Sequence, residues 1–210
     1  MRIYMIRHGR QESRLCNVNV SLDSAGFRQA ALLGERLAGA GIEIVYSSGL
    51  IRAEETAETA NLYWNAERTV CPELQEISFG LMEGLSDEEI ARKFGDFQKE
   101  QAMMKTDLPY PGGECAGDVV RRVLPFLEEL KGCGHEKAAV VTHGGVIRSI
   151  TAWILGMNLA QWRLLGSDLE NCSITELSYD KAHDRFRLER FNYYGHLEKF
   201  PELLRENWKE

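Results

Sequence analysis

Ile3-Tyr4-Met5-Ile6-Arg7-His8-Gly9 is the stretch that decides the fold. An apolar run ends abruptly in Arg, His and Gly. A second stretch, Ala138-Ala139-Val140-Val141-Thr142-His143-Gly144-Gly145, has the same shape. Short continuous apolar runs closed by glycine read as buried strands of a parallel sheet. In an open α/β sheet, ligands bind outside the carboxyl ends of the strands. His8 and His143 are therefore expected to face one crevice, although most of the chain separates them.

Helical patterns alternate with these strands. Ser24 to Ala40 carries an apolar stripe at Ala30, Leu33 and Leu37, with Asp23 or Ser24 as the cap. Ile42 to Tyr46 reads as a strand closing in Ser47-Ser48, and Leu50 to Tyr63 as the next helix. A short strand is expected around Val70-Cys71. Ser86-Asp87-Glu88-Glu89 is a capping box opening a short helix to Phe94. The stretch 95–113, ending Pro109-Tyr110-Pro111-Gly112-Gly113, is expected to be a long insert, functional or mobile. Helices follow over 114–131, despite Pro125, and over 146–155. Residues 173–179 and 186–191 read as a closing hairpin, and the tail from Pro201 to Trp208 as a short helix. The alternation predicts a three-layer α/β/α sandwich around a mostly parallel sheet, in one domain spanning 1–210 with an inserted region around 86–113.

Composition narrows the function. The chain has 210 residues, a net charge of −7, 44% apolar and 27% charged residues. That balance argues against a general nucleic-acid or anionic-membrane surface. Arg7, Arg10 and Arg14 nevertheless crowd around His8, against the global sign. No apolar run is long enough to span a bilayer. The five cysteines are scattered, without CxxC or zinc-ligand spacing, which fits free thiols in a reducing cytoplasmic setting and no bound metal.

The residues at the strand ends suit phosphate chemistry. Arg7 offers a planar fork for phosphoryl oxygens, and His8 can serve as a nucleophile. Gly9 lets backbone approach a ligand closely. His143-Gly144-Gly145 opens a helix whose N-terminus would favour an anion. Arg52 could bring a second guanidinium, or could pair with Glu55 on its own helix. In Leu74-Gln75-Glu76-Ile77-Ser78-Phe79-Gly80-Leu81-Met82-Glu83-Gly84, two carboxylates are candidates for a general acid or for solvated surface groups. His8 could equally be a strand-end residue hydrogen-bonded to a loop carbonyl, and His143 a capping residue with two glycines for tight packing.

Taken together, Arg7-His8-Gly9, Leu22-Asp23-Ser24-Ala25-Gly26 with Gln29-Ala30, Ser47-Ser48 with Arg52-Ala53 and Thr56-Ala57, Leu74 to Gly84, and Thr142-His143-Gly144-Gly145 resemble the histidine phosphatase superfamily, phosphoglycerate-mutase-like. The resemblance spans nearly the whole chain. It implies a phosphomonoesterase that needs no metal or cofactor and acts on a small phosphorylated metabolite. His8 would form a phosphohistidine, with Arg7, Arg52 and His143 holding phosphoryl oxygens and Glu76 protonating the leaving oxygen. Gly144 and Glu83 would contact substrate. The pattern departs after His8: Arg14 stands where the family carries Asn, and Asn17 or Asn19 is the expected substitute. Met82 replaces a Trp before Glu83. The resemblance also admits a phosphoglycerate mutase, a specialised α-ribazole phosphate or sugar bisphosphate phosphatase, or a non-catalytic phosphate-binding module. A homodimer is compatible with these readings. Substrate choice is expected to depend on 8–22, 95–113 and 192–200.

Overall fold

The computed structural model describes residues 1–208. Its centre is a six-stranded sheet of β1 (Arg2–Arg7), β2 (Ile44–Ser47), β3 (Glu67–Val70), β4 (Lys137–Thr142), β5 (Ile174–Asp180) and β6 (Arg185–Tyr193). The strand order is β3-β2-β4-β1-β5-β6. The first four strands in that order are parallel, and β5 and β6 join as an antiparallel hairpin. The expected α/β sandwich with a mostly parallel sheet is what the chain adopts.

Alternation along β1 and β4 builds the three layers. Ile3, Met5, Ala138 and Val140 face a core closed by α4 (Ala116–Gly132) and α5 (Gly144–Ile154). Tyr4, Ile6, Ala139 and Val141 face the other core, closed by α1 (Ser24–Leu37) and α2 (Ile51–Asn61). Both central strands are covered on both sides, which is why they read as unbroken apolar runs. Asp23 caps α1, accepting from the Gly26 N–H at 2.8 Å.

Three expectations change. The helix after the Ser86 capping box, α3 (Asp87–Ala102), continues past Phe94, where the backbone only kinks. Gly95 interrupts the apolar pattern there, but 96–101 is rich in good helix formers, so much of the supposed insert is helical. Next, α5 begins at Gly144 rather than Val146, directly behind His143. Finally, the tail forms two 3₁₀ turns, Pro201–Leu203 and Arg205–Asn207, in place of a helix. Leu203 and Leu204 anchor it to Leu197. Helix α4 does run through Pro125. No helix among the described residues is long and apolar enough to cross a membrane.

Candidate active site

Adjacent parallel strands bring the two histidines together. β1 and β4 pair with Arg7 opposite Thr142, so the next residue of each chain segment leaves the sheet at the same carboxyl edge. The His8 N–H donates to the Thr142 carbonyl at 3.0 Å, and the imidazole rings lie 5.0 Å apart between centroids.

The His8 tautomer follows from its backbone neighbour. Nδ1 lies 2.8 Å from the Gly9 carbonyl oxygen. A carbonyl only accepts, so Nδ1 carries the proton and Nε2 keeps its lone pair. Asn171, at the turn before β5, donates from its side-chain amide to the His8 carbonyl at 2.8 Å. His8 is 6% exposed and His143 fully buried. Burial, then the positive charges of Arg52 and Arg7, hold the proton affinity of His8 well below the usual 6.5. His143 is shifted the same way, by burial first, then by Arg52 and His8. Its Nε2 meets the Ser48 hydroxyl at the end of β2, 2.7 Å away, and its Nδ1 is buried with no partner.

Two arginines flank the pair. Arg7 donates to the Leu169 carbonyl, and burial, then repulsion by Arg205, lowers its pKa to about 10. Arg52 is 2% exposed and donates to the Val18 carbonyl at 3.0 Å and to the Asn17 amide oxygen at 2.8 Å. It does not pair with Glu55, whose carboxylate instead accepts from the Leu22 N–H. The Nε groups of both Arg7 and Arg52 are buried with no partner. Buried polar groups are normally satisfied. Three unsatisfied groups, on Arg7, Arg52 and His143, belong to the residues whose charges and ring adjoin His8, and they mark a place for an anion rich in acceptors.

Glu76 completes the constellation from an unexpected direction. Its carboxylate accepts from the Gly145 N–H, with oxygens at 3.0 and 3.3 Å, and from its neighbour Ile77 at 2.9 Å. The N-terminus of α5 was expected to greet an external anion, but the Gly145 N–H is held by Glu76. A Cβ on Gly145 would lie 2.4 Å from the Glu76 carboxylate and 2.5 Å from Ile77, so only glycine admits the pair. Gly144 lies against Arg7, where a Cβ would sit 3.8 Å from its Nε.

Other expectations resolve differently. Gly9 serves packing: a Cβ there would stand 2.8 Å from the Gly26 carbonyl oxygen on α1. Asn17, in the left-handed region at φ 47°, has both ends of its amide engaged, by Arg52 and by Glu83 at 3.1 Å. Asn19 accepts from the Ile51 N–H at the start of α2. Glu83 collects the Asn17 amide, the Ser78 hydroxyl and the Phe79 N–H. It ties the 76–84 segment to the loop after His8. Arg10 is drawn away into an ion pair with Asp23. Sequence reasoning missed Ser48, Asn171 and the role of Gly145. The Ser47-Ser48 step at a strand end was a usable signal for the first, and nothing local marked Asn171. Among the described residues, no group of three His, Cys, Asp or Glu could hold a metal ion.

Residues 3–193 match the model of the histidine phosphatase superfamily (branch 1). This chain belongs to that superfamily. A phosphoserine phosphatase 1 of Hydrogenobacter thermophilus is 27% identical over 187 residues, covering 84% of this chain and 87% of that protein. A 2,3-bisphosphoglycerate-dependent phosphoglycerate mutase of Methylocella silvestris is 32% identical over 161 residues, covering 70% and 78%. Among solved structures, a mycobacterial glucosyl-3-phosphoglycerate phosphatase in complex with VO3 superposes with a TM-score of 0.82 at 28% identity, over 92% of this chain and 99% of that one. The chain is an enzyme of the histidine phosphatase type.

Proposed function

We propose that the chain hydrolyses a small phosphomonoester through a phosphohistidine on His8. One observation carries this reading: a buried imidazole whose Nδ1 is committed to the Gly9 carbonyl, leaving Nε2 its lone pair, lies 5.0 Å from the His143 ring and within the field of Arg52 and Arg7, and all three of these neighbours have a buried nitrogen without a partner. The Nε2 lone pair attacks phosphorus and the bond to the ester oxygen breaks. Arg7, Arg52 and His143 hold the oxygens over which charge spreads, a preorganised arrangement in a site of low dielectric. Glu76 donates a proton to the departing alkoxide. In the second half, water attacks phosphorus, Glu76 takes the water proton, and the P–N bond returns its electrons to His8. The Nδ1–Gly9 contact fixes the ring throughout, and Asn17 keeps Arg52 in place.

Support also comes from relatives named for cleaving or moving phosphoryl groups. The test is hydrolysis of p-nitrophenyl phosphate in the presence of EDTA. Turnover by the wild-type chain and its loss by at least about 10³-fold in His8→Ala is expected. An active His8→Ala protein overturns the assignment. Interconversion of 2- and 3-phosphoglycerate without net phosphate release would replace hydrolysis by phosphoryl return to substrate.

A further inference from the structure

On the α1 side of the sheet, cover is incomplete. Helix α1 ends at Leu37, and the chain turns back through Gly41 at φ 72°. A cleft of about 380 Å³ opens there, walled by the end of α1 and by β1, β5 and β6. That volume falls in the range of small-molecule sites. Tyr4, Ile174 and Tyr193 line it together with three arginines, Arg2, Arg36 and Arg190. None of Arg7, His8, Arg52, Glu76 and His143 does.

Glu176 is the single acid on the lining, and it is 7% exposed. It stands opposite Tyr4 on β1 and Arg190 on β6. One of its oxygens meets Arg2 at 3.1 Å and the other meets Arg190 at 3.6 Å. Both are consumed, and Arg36 has no acidic partner among the described residues. The Arg36 guanidinium carbon lies 5.3 Å from the Tyr193 ring centroid, and that of Arg190 lies 5.5 Å away. Tyr193 thus draws two cations to one wall. Glu189, the next acid on β6, accepts from the Ser178 hydroxyl at 2.5 Å and does not line the cleft. Three guanidinium groups against one carboxylate leave the cleft positive, on a chain whose net charge is −7. Like charges gathered in a concave wall of low dielectric focus an attractive field for anions. Planar guanidinium forks suit the oxygens of phosphate and carboxylate groups.

We propose that this cleft is a second anion site, in which Arg36, Arg2 and Arg190 bind a compact molecule carrying at least two acidic groups. Phosphate and carboxylate share the required chemistry. The site is separate from the catalytic pocket and does not depend on the hydrolase reading.

Calorimetric titration of the full chain at low ionic strength tests it. Methylenediphosphonate, which resists hydrolysis, is the phosphate probe, and tricarballylate is the carboxylate probe. The wild-type chain is expected to bind at least one of them, and the one bound identifies the acidic group. Arg36→Met is expected to weaken that binding by about tenfold or more, as for a lost charge-assisted contact, and Arg36→Lys to restore part of it. Arg52→Met, which alters the catalytic pocket alone, is expected to retain it. Arg36 is exposed at the end of α1, so its variants are expected to fold and to keep the wild-type KM for p-nitrophenyl phosphate. Binding of neither probe by the wild-type chain overturns the site. Equal affinity in the wild-type chain and folded Arg36→Met does the same, whether or not Arg52→Met folds.

Discussion

Gly145 and Glu76 depend on one another, and their contact gives the sharpest expectation at the scale of single residues. Gly145→Ala places a methyl group 2.4 Å from the carboxylate and 2.5 Å from Ile77, so the carboxylate must move. Loss of a positioned general acid lowers rates by about 10²–10⁴-fold. The loss is expected to be larger for alkyl phosphates than for p-nitrophenyl phosphate, whose leaving group needs little proton assistance. Equal losses on both would reduce Glu76 to a positioning residue. Much of this site is legible in single residues. Arg7, His8, Arg52 and His143 stand at strand ends or just beyond, where the sheet must deliver them to one edge. Asn171 and the contact of Gly145 with Glu76 are not legible in that way. Their value lies in partners far along the chain, such as the His8 carbonyl that meets Asn171.

At the scale of elements, the capping box of α3 holds the start of the helix that follows the Glu76–Glu83 segment. The Ser86 hydroxyl accepts from the Glu89 N–H at 3.2 Å, and the Glu89 carboxylate accepts from the Ser86 N–H at 3.1 Å. Ser86→Ala is expected to destabilise the protein by about 1 kcal/mol, measured as a lower urea midpoint with an unchanged denaturant slope. No change would mean that tertiary packing alone sets this terminus. The box was visible in the sequence because it is local: four consecutive residues suffice. The far end of α3 was not, because Gly95 breaks the apolar stripe and the kink at Phe94 lets the helix resume. The tail misleads in the opposite sense. Pro201 and the Glu202-Leu203-Leu204-Arg205-Glu206 run after it look helical, yet burial of Leu203 and Leu204 against Leu197 divides them into two short turns.

At the scale of the whole molecule, three buried imidazoles couple folding to pH. Burial holds His8 and His143 well below 6.5 and His196 at about 4. The unfolded chain therefore takes up protons first as the pH falls. The stability these groups contribute is present above about 6.5 and is lost as the pH drops toward their folded values, by up to about 1.4 kcal/mol per pH unit for each histidine. Urea unfolding at pH 7.5, 6.5 and 5.5 is expected to show that decline, and sulfate, which charges the site with a dianion, is expected to bind more tightly as the pH falls. A flat profile would mean that these rings reach solvent. The overall architecture was legible because β1 and β4 are covered on both faces and so write themselves as unbroken apolar runs. Which strand lies beside which is a long-range matter, settled by the pairing of Arg7 with Thr142. That pairing buries His8 beside His143, and the proposal that His8 is the nucleophile is tested most directly by an alkaline quench of the enzyme during turnover of a ³²P-labelled phosphomonoester. Acid-labile, base-stable label on the peptide containing His8, absent in His8→Ala, is the expected result. Steady hydrolysis with no label on that peptide at any quench time contradicts it.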